Sequence, residues 1–513
     1  METPEIKKEQ QTIAEDKHAP FYSSWKSVLF TTHHTDIGIL YLTFGFFFFF
    51  LGGASSLLVR FALTSEGAIG PEAYAGLFTI HGVSMLFLFI IPVWAGFGNW
   101  LVPKYIGAKD MYFPKLNALG FWLIPPAGLL IYLGMPNVGW TMYAPLSVYS
   151  AGWGMDMTIL GLHLIGTSSI IGAINFIVTI MKMKAPGVTY RNMPLMVWAQ
   201  FTTAFLQVLA TPVLAMVLTL LLLDRNLGTT FFVPPAGDPL LWQHLFWFYS
   251  HPAVYIFVLP GMGLVSQILP SMSRKKIFGY SSIAVSTALI GFMGFGVWAH
   301  HMWTTGISVS ARIPFMFMTM AIAIPSGVKI FNWIATLYGG KLKFSTPMLF
   351  CLSFILSFIL QGVSGVFLAN IPLDYQLQDT YFVVSHLHFV LFGASAQAAF
   401  AGIYYYFPYM TGRKYNETLG MVHFLLTTVG LYTLFTSMLF LGLGGMPRRT
   451  YIYLPEFYTW NVAATFGAVL IAVGSLVFLY NILSSWYSGP SVADKEDPWN
   501  LKKYGLREWP EQS

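Results

Sequence analysis

Apolar stretches of about 20 residues or more, parted by short polar connections, recur along nearly the whole chain. The hydrocarbon core of a bilayer is about 30 Å thick, so a helix rising about 1.5 Å per residue needs about 20 apolar residues to cross it. The stretches lie near 36–63, 74–102, 117–135, 156–184, 195–223, 241–269, 280–303, 311–338, 346–370, 381–411, 419–444 and 458–485. A lipid-facing backbone must satisfy its own hydrogen bonds, and helices do this within one segment. The pattern therefore predicts an all-α polytopic membrane protein, twelve transmembrane helices in one bundle. Composition excludes the alternatives. Only 9% of the 513 residues are charged, against roughly 25% in a soluble domain, and 56% are hydrophobic where disorder needs the reverse. The lone cysteine, Cys351, excludes a disulfide framework or a thiolate metal cluster made by this chain alone. No linker divides the apolar run. One domain is expected over 36–485, between an N-terminal tail, 1–35, with no removable signal peptide, and a C-terminal tail, 486–513.

Basic residues collect in alternate connections. One set holds Lys7, Lys8, Lys17 and Lys26, then Lys104, Lys109 and Lys115, then Lys182, Lys184 and Arg191. It continues through Arg274–Lys276, Lys341 and Lys343, Arg413 and Lys414, and the tail residues Lys495, Lys502, Lys503 and Arg507. The opposite face holds only Arg60, Arg225, Arg312, Arg448 and Arg449. Both termini are thus expected to be cytoplasmic. The net charge of +6 belongs to this asymmetry and points to membrane lipid, with no nucleic-acid partner. Lys329 alone sits well inside an apolar stretch. Acidic residues stay in tails, loops or span ends, whereas His81, His163, His251, His300, His301, His386 and His388 lie within apolar stretches. A polar ionisable group at that depth is costly and marks function by default.

Six of these histidines fall at one level. His81, His251, His386 and His388 enter from the outer side by a few turns, and His300 and His301 end an outward-running span. Neutral imidazole suits iron and copper, and it is tolerable where a carboxylate is not. His386 and His388, two residues apart, point to opposite sides of a helix and can each serve a different metal. Paired porphyrins with axial histidines fit that division, with His81 as the second axial ligand of one. His251, His300 and His301 can make a three-nitrogen copper site with an open position. Tyr255, one turn after His251, stands on the same helix face. Arg448 and Arg449 can pair with anionic groups at the outer interface.

The stretches WQHLFWFYSHPAVYIFVLPG, GVWAHHMW, IAIPSGVKIFNW, LDYQLQDTYFVVSHLHFV and GGMPRR resemble the catalytic subunit of haem–copper terminal oxidases, over roughly residues 30–485. That resemblance implies a low-spin haem on His81 and His388, with Arg60 near its ring substituent. It implies a high-spin haem on His386, both haems being of the a type, facing a copper on His251, His300 and His301. Tyr255 would be the tyrosine joined covalently to His251, and Arg448, Arg449 and Asp374 would meet haem propionates. The implied activity is reduction of dioxygen to water. Electrons would come from quinol or cytochrome c, the choice left open, in a complex with a subunit II-like partner.

Two proton routes are implied as well. Lys329, Ser326 and Thr319 match the lysine-containing channel. Asp110, Asn99 and Asn117, continued by Ser168, Ser169 and Asn175, match the aspartate-gated one. Three positions depart from the common pattern. Ala253 stands where many members have glutamate, with Tyr249 and Ser250 one turn earlier, as in a branch in which a Tyr–Ser pair replaces it. Gln378 stands where a histidine is frequent, which weakens a magnesium site on Asp379, and Thr450 follows the arginine pair. The Tyr–Ser pair suggests a prokaryotic plasma membrane. A nitric oxide reductase relative would lack both Tyr255 and Lys329. A twelve-span transporter, the rival of another class, would show internal repeats and would leave the coplanar histidines unexplained.

Overall fold

A computed structural model describes residues 25–65 and 67–509. Most of the N-terminal tail, with Lys7, Lys8 and Lys17, and the last four residues lie outside them. Among the described residues there is no strand, only isolated bridges such as Thr380–Pro447.

Among the described residues, eleven helices are long and apolar enough to cross a bilayer. With one shorter apolar helix they are numbered here α1 to α12. They run α1 His34–Ala62, α2 Pro71–Ile106, α3 Pro114–Gly134, α4 Gly154–Lys182, α5 Leu195–Asn226 and α6 Pro239–Ser273. Then follow α7 Tyr280–Met293, α8 Val309–Leu337, α9 Thr346–Ala369, α10 Tyr381–Thr411, α11 Glu417–Leu443 and α12 Tyr458–Ser488. Eleven of the twelve expected spans are therefore full-length. The seventh is not: it was expected to reach 303, but α-helix stops at Met293 and passes into 3-10 turns at Gly294–Gly296 and Trp298–Met302. That break is where the adjacent pair His300–His301 stands. An uninterrupted α-helix would turn two neighbouring side chains about 100° apart.

Burial separates the helices by role. In its most apolar window α6 is 83% buried, α10 78% and α2 72%, whereas α8 is 11% buried. The three buried helices carry four of the six histidines of interest. Small residues let helices approach closely, as at Gly38 of α1, where an added Cβ would lie 2.9 Å from the carbonyl oxygen of Gly96 in α2. Outward-facing side chains such as Leu129, Phe292 and Ile324 are exposed and apolar, as a lipid-facing surface requires.

Both α2 and α10 depart from regular helix just after their histidines. A π segment, Ser84–Ile90, begins three residues past His81, and another, Leu391–Ala396, begins three residues past His388. π segments recur at functional sites because the extra residue per turn re-aims side chains. The C-terminal tail, anticipated only as polar chain, is packed: Glu508 is 6% exposed and accepts hydrogen bonds from the hydroxyls of Tyr105, Tyr405 and Tyr406. Burial raises its carboxyl pKa.

Candidate metal centre

Three histidine nitrogens converge on one point. His300 gives its Nδ1–H to the hydroxyl of Thr319 at 2.9 Å, and that hydroxyl donates onward to the Phe315 carbonyl at 2.6 Å. Its Nε2 is thereby left bare and lies 3.0 Å from Nε2 of His301, which in turn lies 3.2 Å from Nδ1 of His251. Metal–nitrogen bonds of about 2 Å put neighbouring ligand atoms about 3 Å apart, so the spacing fits one ion. Among the described residues this is the only group of three or more His, Cys, Asp or Glu residues positioned to hold a metal. Trp247 stacks on the His301 ring at 3.8 Å and 14°, fixing its plane.

Tyr255 completes this cluster. Its ring lies 4.8 Å from that of His251, and a Cβ on Gly294 would come within 2.7 Å of it, so glycine there makes the room. The other nitrogen of His251, Nε2, is buried without a hydrogen-bond partner. That orphan is the atom a bond to the tyrosine ring would satisfy.

The other three histidines form a second arrangement. The rings of His81 and His388 are parallel within 1°, with centroids 6.0 Å apart. Two imidazoles on opposite sides of one ion, each with a bond of about 2 Å, span about that distance. Each ring is oriented by its Nδ1–H, which donates to the Gly52 carbonyl at 2.9 Å in His81 and to the Val384 carbonyl at 2.7 Å in His388. This leaves Nε2 free to bind metal, the usual outer support of a ligand histidine. His386 faces the other way, as two-residue spacing requires. Its Nδ1 bonds Ser364 Oγ at 2.9 Å, and it lies within electrostatic reach of His251, His300 and His301.

Arg60 is buried, with Nη2 held by the carbonyl and side-chain oxygens of Asn461 at 2.9 and 2.8 Å. Its Nε and Nη1 have no partner, and unpaired buried donors of a guanidinium demand an acceptor. At the outer edge the chain after α11 is tied to the chain before α10. Tyr381 N–H donates to the Met446 carbonyl at 3.0 Å and Arg448 N–H to the Asp379 carbonyl at 2.8 Å. Arg448 also pairs with the Asp379 carboxylate, and Arg449 donates to Thr141 Oγ1 at 3.1 Å. Asp374 is 1% exposed with Oδ2 unpartnered. Burial, helped by the Asp379 charge and opposed by Arg448, pushes its pKa up to about 8. Burial beside Arg448 brings Arg449 down to about 10, still a cation at neutral pH. Gln378 donates from Nε2 to the His301 carbonyl at 3.1 Å and so braces the metal cluster from its backbone.

The expected proton-route residues divide into two groups. Lys329 is buried, with Nζ 3.5 Å from Met262 Sδ, and Ser326 bonds the Ile322 carbonyl one turn back. Thr319 sits directly on His300, closer to the metal cluster than a channel residue need be. On the other side Asn117 donates to Asn99 Oδ1 at 2.6 Å, while Asn175 brackets the backbone of Phe113. Asp110 Oδ1 accepts from the N–H of Met111. Above them an internal cavity with about 30 Å³ of space for water centres is lined by Asn99, Ser168 and Ser169. Tyr41, which sequence reasoning missed, joins it through a 3.3 Å bond to Ser168. Its one available signal was a hydroxyl inside an apolar run. Tyr249 and Ser250 are buried, and Ser250 Oγ has no partner. His163, in contrast, is satisfied by the Ile159 carbonyl and Thr219 and joins no cluster.

Residues 36–470 match the family described as cytochrome c and quinol oxidase polypeptide I. Cytochrome c oxidase polypeptide 1 of Halobacterium salinarum is 50% identical over 482 residues, which is 92% of this chain and 81% of that protein. Cytochrome c oxidase subunit 1 of a Synechocystis species is 48% identical, over 92% and 86% of the two chains. The Bacillus subtilis subunit 1 is 44% identical over 92% and 77%. A haem–copper terminal oxidase dimer solved by electron cryo-microscopy shares the fold with a TM-score of 0.78, at 20% identity over 92% of this chain and 89% of that one.

Proposed function

The chain belongs to the cytochrome c and quinol oxidase polypeptide I family and is a haem–copper terminal oxidase subunit of a respiratory chain, and from this premise we propose how its residues divide the work. His81 and His388 hold the low-spin haem, His386 the high-spin haem, and His251, His300 and His301 the copper. Bound there, the metals supply the electrons that reduce dioxygen. The observation that carries this reading is the pairing of two clusters: a parallel imidazole pair, and three convergent imidazole nitrogens with a fourth histidine in reach.

The remaining residues bind, orient and move protons. The unpartnered Nε and Nη1 of Arg60 suit a carbonyl acceptor on a ring substituent, which favours haem a. Arg448, Arg449 and a protonated Asp374 suit propionates, since two cations and one O–H donor meet carboxylates there. Tyr255 holds a proton on its hydroxyl beside the copper ligands, and its ring carbon is bonded to His251 Nε2. Lys329, with Ser326 and Thr319, brings protons to that side. Asp110, Asn99, Asn117, Asn175, Ser168 and Ser169 carry the second route towards Tyr249 and Ser250, and this route serves proton pumping. Asp379, already paired with Arg448, and Gln378, already bonded to His301, make a poor magnesium site within this chain.

Cytochrome c is the proposed donor, since the relatives of high identity are named for it, with a subunit II-like partner receiving its electrons. The three relatives are prokaryotic, in keeping with a plasma-membrane location and cytoplasmic termini. Oxygen consumption by the purified complex, with reduced cytochrome c and separately with a quinol, tests this. Cyanide-sensitive turnover with cytochrome c alone is the expected result, and turnover with quinol alone overturns the assignment of the donor.

A further inference from the structure

Sequence reading of the second proton route considered α2, α3, α4 and α6 but nothing on α5. Yet one face of α5 is polar. Gln200, Thr203 and Gln207 follow at intervals of three and four residues, hence on one stripe of the helix. All three line the cavity that Asn99, Ser168 and Ser169 open into. Gln200 and Thr203 are each 2% exposed, and Gln200 Oε1 and Thr203 Oγ1 are buried without a hydrogen-bond partner. Buried polar atoms are rarely left so, and water in an adjoining polar cavity is the common remedy.

The far end of the cavity matters as much. On the α6 side it is lined by Ile256, three residues past Ala253 and so about one turn on along that helix. Position 253 carries only a methyl group, so α6 supplies no carboxylate there. Along that stretch the polar wall comes from α5 instead.

We propose that the amides of Gln200 and Gln207 anchor the water that carries protons between Ser168–Ser169 and Tyr249–Ser250, in place of an ionisable side chain on α6. This rests on the reading of the Asp110 route given above. An amide offers one acceptor and two donors, so it can hold two waters in line without itself ionising. The proton hops between waters, each receiving one hydrogen and passing on another, and neither glutamine changes charge. About 30 Å³ of space for water centres is enough for roughly two waters, at 10–15 Å³ each. The glutamines are positioning residues; they touch neither metal nor substrate.

The test uses the whole oxidase complex in sealed vesicles, comparing wild type, Asp110→Asn, Gln200→Leu with Gln207→Leu, and Gln200→Glu. Protons released per electron are read together with turnover and the haem spectra. The expected result is that the double leucine variant loses at least half as much proton release as Asp110→Asn, with unaltered spectra. Gln200→Glu, which keeps polar atoms in the same volume, retains release. If Asp110→Asn suppresses release and the leucine pair with intact spectra does not, the inference is overturned and the route stands. If Asp110→Asn leaves release unchanged, the route itself is wrong and the inference falls with it. If the leucine pair fails to assemble, Gln200→Ala and Gln207→Ala are read singly against the same two outcomes.

Discussion

The imidazoles of His81 and His388, on helices α2 and α10, lie parallel within 1° with ring centroids 6.0 Å apart. A shared ion accounts for two parallel rings at that spacing, each with its Nδ1–H already spent on a backbone carbonyl. Replacing either with alanine removes one axial ligand. The low-spin haem signature is expected to disappear while a carbon monoxide-reactive haem remains, and turnover to fall by more than about 100-fold, the upper end of losses seen on weakening a metal's supports. Reduced-state absorption spectra of the two variants check this.

Thr319 fixes His300 in the tautomer that bares its Nε2. Thr319→Val keeps the shape and removes the acceptor, so copper binding is expected to weaken by about 10- to 100-fold. The copper-to-haem ratio, measured as a chelator is titrated in, reads this directly. Haem content stays unchanged if the effect is confined to His300.

Tyr255 is expected to be bonded to His251, whose Nε2 is otherwise an orphan. Mass spectrometry of a digest should find the peptides carrying the two residues joined, with the mass of two hydrogens missing. Tyr255→Phe loses the hydroxyl that holds a proton at the copper ligands, and turnover is expected to drop by roughly 100-fold or more.

The sequence disclosed most of this frame. The clustering of His251, His300 and His301 could be anticipated, because apolar length fixes span ends and about 1.5 Å per residue then sets an expected height. The opposed directions of His386 and His388 followed from helical angle alone. What escaped was set by tertiary contact. The early end of α7 at Met293 could not be read from a composition that stays apolar through Trp303. Neither could the π segments after His81 and His388, nor the bond from Gln378 to the backbone of His301. The stripe of Gln200 and Gln207 carries amides, which lack the titrating groups that draw notice in an apolar span. Thr319 was expected in a channel, and its bond to His300 needed coordinates.

Asp374 offers a pH dependence. Burial raises its pKa from 3.8 to about 8, so its carboxyl is protonated at pH 7 in the folded chain and ionised in an unfolded one. Its contribution to stability is therefore greatest below about pH 4 and declines as pH rises through about 8, with no further change above. Infrared spectra should show a protonated-carboxyl band that vanishes across pH 8 and is absent in Asp374→Asn.

Lys329 stands buried within α8, with Nζ 3.5 Å from the thioether sulfur of Met262. Lys329→Met should leave both haem spectra intact and slow the supply of protons to the metal cluster. Reduced enzyme is then expected to react normally with its first oxygen but to turn over at least about 100-fold more slowly, the span typical of lost proton transfer. Stopped-flow mixing with oxygen separates the two.

The account depends most on six imidazoles from α2, α6, α10 and the turn after α7 binding two irons and a copper in one layer. The direct measurement is the dithionite-reduced minus oxidised spectrum of the purified protein, recorded with and without carbon monoxide. Two distinct haems are predicted, of which only the one on His386 shifts with the gas. A single haem, or two that both shift, would contradict the pairing of His81 with His388.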